Sequence, residues 1–450
     1  MSKAWHQETA ADLGRGIGEG RICPVELTEY FLARSAGQGL EGGAALADRI
    51  YARLMAPQAR AEAEAARDRA RNGTRRGLLD GVPVAWKDLF DTAGVATEAG
   101  SALLAGRVPA ADAVVVERLT QAGLPPLGKT HMTELAFSGL GLNPITAHPP
   151  CVNDPEAAPG GSSSGSAAAV AFGAAPLAIG SDTGGSVRLP AAWNDLVGLK
   201  TSPGRIPAKG AVPLAARFDT IGPLAKSVED AALAFALLDG SAAPDLTGAS
   251  LRGKRLLVLE TIALDDLEEP VARGFEAALL RLAAAGAEIR HAAIPPVAEA
   301  MAISGILYTA ECYGTWETVI EAAPEKMYPP VLERFRAGAG HRACDYVAAW
   351  LRLDELREEW AQMVAGYDAV ILPTNAILPP KVAPLLADAA AFARTNLATL
   401  RNTRIGNLSG GCGLTLPSGT ASVGVSFMAP AGGEAALLRL GAAAEKALAG

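Results

Sequence analysis

Cysteine is scarce and unpaired. The five thiols, Cys23, Cys151, Cys312, Cys344 and Cys412, are scattered and odd in number, with no C-x-x-C pair. This argues against a disulfide scaffold and favours reduced thiols in a cytoplasmic protein. The five histidines form no H-E-x-x-H or related spacing, so no metal site is expected. No basic run stands out against a net charge of −8, and a nucleic-acid partner is not expected. Apolar runs long enough to cross a bilayer are missing, so no membrane partner is expected either. The start, MSKAWHQETAADLGRG, lacks the basic-then-apolar pattern of a secretory leader, and none is expected.

What is present is an ordinary globular composition, half hydrophobic and one fifth charged over 450 residues, enough to bury a large core. Residues 1–75 read as helices, ELTEYFLARSA and ARAEAEAARDRARNG among them. DAVVVERLTQAGLPPLGKT reads as helix, turn and strand. Later, the strand-like RLLVLE, YDAVILPT and ASVGVSFMAP alternate with the alanine-rich helices VARGFEAALLRLAAAG and EAALLRLGAAAEKALAG. Such alternation predicts an α/β architecture. No low-complexity hinge divides the chain, which favours one large domain.

Three motifs compete for the chemistry. GLPPLGKT (123–130) fits the phosphate-loop pattern, but Pro125 and Pro126 lack the N–H groups such a loop aims at phosphate. A strand entered from a turn is the alternative. Gly161-Ser162-Ser163-Ser164-Gly165 is a formal G-x-S-x-G elbow with Ser163 as nucleophile. That chemistry needs a later acid and histidine, and neither His291 nor His341 sits in a recognisable motif. The third candidate joins PGGSSSGSAAAV (159–170) to GSDTGGSVRLPAA (180–192) and GVPVAWKD (81–88). The serine tract runs into fourteen nearly unbroken apolar or glycine residues (167–180), which a solvated linker would not carry. Gly184 and Gly185 offer unobstructed amides of the kind an oxyanion hole needs, with Ser186 at their end. No histidine lies in these segments, so the available base is Lys87, set in an apolar run where burial disfavours its charged form.

These segments resemble the signature of the amidase signature family of serine hydrolases, here GGSSSGSAAAVAFGAAPLAIGSDTGGSVRLPAAWNDLVGLK (160–200). The likeness extends to 81–101, to LGKTHMTELAF (127–137) and to YDAVILPT (367–374). The resemblance implies a single α/β/α domain over 1–450 with a central mixed, twisted sheet covered by helices. Residues 1–75 would be its helical part, 76–235 the signature core and 236–450 the substrate-shaping part. It further implies a Ser-Ser-Lys triad, with Ser186 as nucleophile, Ser162 as bridging serine after a cis peptide at Gly161, and Lys87 as base. The amides of Thr183, Gly184, Gly185 and Ser186 would form the oxyanion hole, with Asp182 and Arg188 in support and no cofactor. His131 and Glu134 would line or buttress the pocket wall. Two departures stand out: Ser164 replaces a usual glycine, and Ser426 stands where glutamine is usual.

The expected activity is hydrolysis of carboxamides through an acyl-enzyme, with ester or carbamate cleavage as a side or main activity. The expected partner is a small-molecule amide, ester or carbamate, and the chain itself a monomer or homodimer. The alternatives are the glutaminase subunit of a tRNA-dependent amidotransferase and, more remotely, a non-catalytic α/β binding protein. Nine of the 23 aromatic residues crowd into 301–370. If some wall the site, aryl or hydrophobic amides are the expected substrates; otherwise they pack helices. Ala136, Phe137, Tyr313 and Trp316 are the candidate pocket residues.

Overall fold

The computed structural model describes residues 4–449. Eleven strands form one mixed sheet: β1 (Tyr51–Leu54), β2 (Val84–Lys87), β3 (Pro126–Thr130), β4 (Ala178–Asp182), β5 (Val197–Lys200), β6 (Thr220–Ala225), β7 (Arg255–Leu259), β8 (Glu288–Ala292), β9 (Ala369–Pro373), β10 (Cys412–Pro417) and β11 (Gly424–Ala429). Their order is β1-β3-β2-β4-β6-β5-β10-β11-β9-β7-β8. β2 runs parallel to β3 and β4, and β7 parallel to β8 and β9. The remaining pairings are antiparallel. Central strands β2, β4, β5 and β6 are buried throughout, as strands covered on both faces must be. This is the expected α/β fold with a mixed sheet.

Helices lie along the sheet. Val228–Asp239 packs on β5 and β6, Glu434–Leu448 on β10 and β11, and Glu269–Ala284 on β9. A short helix, Ser164–Ala171, is built almost wholly of serine, glycine and alanine and packs against β2, β3, β4 and β6. Its small residues permit that approach: a Cβ on Gly165 would stand 2.6 Å from the His131 carbonyl oxygen. The apolar run after the serine tract is therefore core. A second group of helices, Pro296–Ala322, Pro329–Arg336, Ala343–Val364 and Ala389–Leu408, packs together, and the last also touches the helix Arg188–Trp193. Among the described residues no helix is long and apolar enough to cross a membrane.

Strand β1 departs from the helical reading of 1–75. YARL is only four residues long, between two helices, and pairs antiparallel to β3; partners on a distant strand decide it, not its own periodicity.

Candidate active site

Lys87 ends β2, and the next strand in the sheet, β4, carries Ser181 and Asp182 at its own carboxyl end. The parallel pairing of β2 with β4 thus brings Lys87 beside Ser181. Lys87 Nζ donates to Ser181 Oγ at 2.8 Å and to Ser162 Oγ at 2.7 Å. Ser162 follows a cis peptide bond from Gly161 and, like Lys87, is fully buried. Gly161 is required by space, since a Cβ there would meet Gly141 Cα at 2.7 Å. Burial pushes the Lys87 pKa down to about 7, against the opposing pull of Asp219 and Asp182.

Ser186 lies in the turn between β4 and the helix Arg188–Trp193. The Ser163 N–H donates to its carbonyl at 3.3 Å, joining the two serine loops. The Ser186 and Ser162 hydroxyls are not hydrogen-bonded to each other. Ser163 Oγ is engaged elsewhere, donating to the Ser181 carbonyl at 3.2 Å.

The turn 183–186 is held from three sides. Tyr308 Oη donates to the Thr183 carbonyl at 2.9 Å, Thr403 Oγ1 to the Gly184 carbonyl at 2.8 Å, and Thr183 Oγ1 to Asp219 at 2.6 Å. In a trans peptide the N–H points opposite to the carbonyl. Tyr308 therefore fixes the direction of the Gly184 N–H, and Thr403 that of the Gly185 N–H, which donates to Asp182 Oδ1 at 2.9 Å. The amides of Thr183, Gly184 and Ser186 have no protein acceptor among the described residues. Gly185 has φ +130°, and a Cβ on it would fall 2.0 Å from Thr403 Oγ1. On Gly184 a Cβ would meet nothing within 4 Å.

Asp182 is the anchor of this turn. Besides Gly185, it accepts from the N–H groups of Val187 and Arg188, from Arg188 Nε and Nη2, and from Asn407 Nδ2. Burial alone would raise its pKa, but Arg188 overrides that and holds it well below the usual carboxylate range.

Residues 27–438 match the Amidase family. The chain belongs to the amidase family, hydrolases of C–N amide bonds. It is 36% identical, over 81% of each chain, to 2-amino-5-chloromuconic acid deaminase of Comamonas testosteroni. With a glutamyl-tRNA(Gln) amidotransferase subunit of Anaeromyxobacter sp. (strain K) it shares 33% identity over 97% of this chain and 95% of that one. A crystal structure of an amidase superposes with a TM-score of 0.87 at 31% identity, covering 98% of this chain and 99% of that one.

In this amidase Ser186 opens onto a small cavity of about 20 Å³, lined beside it by Thr183, Gly184, Ala136 and Phe137. Beyond it lies a larger cavity of about 440 Å³. Tyr308, Arg334 and Arg404 line both. Tyr313 and Trp316 do not reach the Ser186 cavity: Tyr313 Oη donates to Glu321, and buried Trp316 donates through Nε1 to the Pro213 carbonyl. Three of the rings join helices to loops instead: Phe218 stacks on Tyr308 and Trp350, and Phe335 meets Phe137 edge-on. Glu134 buttresses the wall, accepting from Ser101 Oγ and the Tyr328 N–H, and burial raises its pKa to about 7. His131, pushed down to about 4 by burial, has its Nε2 3.2 Å from the Asp48 carbonyl.

The residues of the competing motifs are engaged elsewhere. Lys129 of GLPPLGKT lies in β3, fully buried, donating to the Phe90 carbonyl and to Thr97. His291 stands exposed beside Glu260, and His341 is 3.1 Å from Thr309 Oγ1. Sequence reasoning misses Ser181, Asp219, Thr403 and Asn407. Ser181 lies inside the signature stretch, where its place just before Asp182 is a usable signal; nothing local marks the other three.

Proposed function

We propose that this amidase is a serine hydrolase of non-peptide carboxamides, working through an acyl-enzyme on Ser186 with Lys87 as base and Ser162 as proton relay. The observation that carries this reading is a fully buried lysine bonded to Ser162 in the loop beside Ser186. Ser186 Oγ attacks the carbonyl carbon, its proton passes to Ser162 Oγ, and the proton of Ser162 passes to neutral Lys87 Nζ. The two serine hydroxyls close to hydrogen-bond distance in the substrate complex, as catalytic contacts commonly do. The oxyanion receives N–H groups from the turn 183–186; the engagement of Gly185 by Asp182 favours Thr183, Gly184 and Ser186 as the donors. The C–N bond breaks as the relay returns the proton to nitrogen. Water then attacks the acyl-enzyme by the same route, releasing acid and free Ser186. Esters and carbamates present the same carbonyl and are second substrates.

All three parts of the chain add strands to one sheet, which supports reading 1–450 as one catalytic domain. Ala136, Phe137, Leu214 and Leu400 beside Ser186 favour an apolar segment next to the scissile carbonyl. The second reading, a glutamine-hydrolysing subunit serving a tRNA-charging partner, is favoured by the named amidotransferase relative. Against it, no carboxylate lines the Ser186 cavity to meet an α-ammonium group.

The deciding experiment is labelling with a fluorophosphonate followed by peptide mapping. The adduct is expected on the peptide containing Ser186 and absent from Ser186→Ala. An adduct on Ser163 would replace this mechanism with the elbow reading.

A pH profile tests the base. Only neutral Lys87 accepts a proton, so kcat/KM should rise about tenfold per pH unit on the acid side and level off above the Lys87 pKa of about 7. Asp219, raised to about 6 by burial, ionises in the same region, and its charge favours protonated Lys87. A flat profile from mildly acidic to mildly alkaline pH would rule out lysine as the base.

A further inference from the structure

Arg334 and Arg404 come from different helices, Pro329–Arg336 and Ala389–Leu408, and both line the Ser186 cavity as well as the larger one next to it. Other buried or half-buried arginines have partners that take up their donors, acids for Arg188 (Asp182) and Arg69 (Asp80), backbone carbonyls for Arg34 (Gly173 and Phe172). These two have no salt bridge among the described residues. Arg334 spends one donor, Nη1, on the Phe137 carbonyl at 3.1 Å, and its guanidinium lies 4.3 Å from the Phe137 ring centroid. Arg404 lies 5.7 Å from the Tyr308 ring centroid and has no protein hydrogen-bond acceptor among the described residues.

The acids in this neighbourhood are committed elsewhere. Asp182 is enclosed by Arg188 and Asn407. Asp219 accepts from Thr183 and from the N–H groups of Leu214 and Ala215. Glu333, on the rim of the outer cavity, is exposed and 3.7 Å from Arg336. Burial lowers both arginine pKa values, that of Arg334 to about 9, with the Arg404 charge as its second cause. Two adjacent, partly desolvated cations with free donors and no counter-ion form a site for an anion. Guanidinium groups match a carboxylate in a bidentate fashion.

We propose that Arg334 and Arg404 form a carboxylate-binding subsite beside Ser186, so that this amidase prefers carboxamides bearing a carboxylate a few bonds from the scissile carbonyl. This rests on the Ser186 reading above and narrows its substrate class to half-amides of short dicarboxylic acids. The carboxylate sits between the guanidinium groups, while the amide carbonyl reaches the turn 183–186 past Ala136 and Phe137. Hydrolysis yields a dicarboxylate and ammonia or an amine.

The test compares kcat/KM of the wild-type protein for malonamate, succinamate and glutaramate with neutral primary amides of matching length. At least one half-amide is expected to be favoured by about a hundredfold, mainly through KM. Arg404→Gln and Arg334→Gln should each reduce that ratio about tenfold or more, with Arg404→Lys intermediate. Equal or better use of the neutral amides by the wild type overturns the proposal, and this comparison needs no variant to fold. A substitution that lowers both substrates alike, leaving the ratio intact, assigns the arginines a purely structural role and also overturns it. As a readout without turnover, glutarate should protect Ser186 from the fluorophosphonate where a neutral amide of equal length does not; equal protection counts against the subsite. The two readings fail separately. Labelling and turnover that survive in Ser186→Ala refute the nucleophile, whereas a wild type labelled at Ser186 but indifferent to substrate charge refutes the subsite alone.

Discussion

Ser186→Ala is expected to lower kcat/KM by roughly 10⁴- to 10⁶-fold, with Lys87→Ala and Ser162→Ala each severely impaired. The reason is the chain of buried groups. Lys87 Nζ lies 2.7 Å from Ser162 Oγ and 2.8 Å from Ser181 Oγ, its only hydrogen-bond partners among the described residues. In the proposed mechanism Lys87 takes the proton, Ser162 bridges to Ser186 and Ser186 carries the acyl group, so each loss interrupts the same relay. Residues acting as one relay give non-additive losses, so Lys87→Ala combined with Ser186→Ala should cost no more than the worse single change. Steady-state kinetics on one amide substrate, with circular dichroism to confirm folding, would measure this. Ser163→Ala serves as the contrast. Its hydroxyl donates to the Ser181 carbonyl, so a modest loss is expected. An inactive Ser163→Ala beside an active Ser186→Ala would reverse the assignment.

Much of the fold, and the segments that meet at the candidate site, were legible in the sequence because they are short and have strong local character. The strands Arg255–Leu259, Ala369–Pro373 and Gly424–Ala429, and the helices Glu269–Ala284 and Glu434–Leu448, follow their hydrophobic patterns closely. Lys87, Ser162 and Ser186 stood out because glycine and serine crowd around two of them and apolar residues around the third. What sequence did not reveal is mostly long-range. Thr403 holds the Gly184 carbonyl and Asn407 the Asp182 carboxylate from more than 200 positions away, on a helix whose local sequence carries no sign of the task. The surplus of rings in 301–370 pointed toward an apolar wall. Among the described residues only Tyr308 of the nine lines the Ser186 cavity. Arg334 and Arg404 look like any surface arginine in the one-letter string. Only the packing of their helices removes their counter-ions and faces them toward Ser186.

Breaking the Asp182–Arg188 pair should damage both stability and catalysis, and the two effects can be separated. Both side chains are wholly buried, joined by Nε to Oδ2 and Nη2 to Oδ1 contacts of 3.0 Å. Removing one partner leaves an uncompensated buried charge, which typically costs about 3–5 kcal/mol. Asp182→Leu and Arg188→Met should therefore each lower the urea midpoint substantially. Replacing both removes the charges together, so the double variant should be less destabilised than the two single losses added, as for other coupled neighbours. Catalysis should not follow that recovery. Asp182 also accepts the Gly185 N–H at 2.9 Å and the Val187 N–H at 3.2 Å, and these bonds set the turn that carries Ser186. With Asp182 gone the turn loses that restraint, so kcat should stay low in the double variant even where its folding recovers. Arg188→Met alone keeps the carboxylate, and should retain more kcat per folded molecule than Asp182→Leu. Restored kcat in a stably folded double variant would mean that Tyr308 and Thr403 hold the turn without Asp182, leaving the acid a role in stability only.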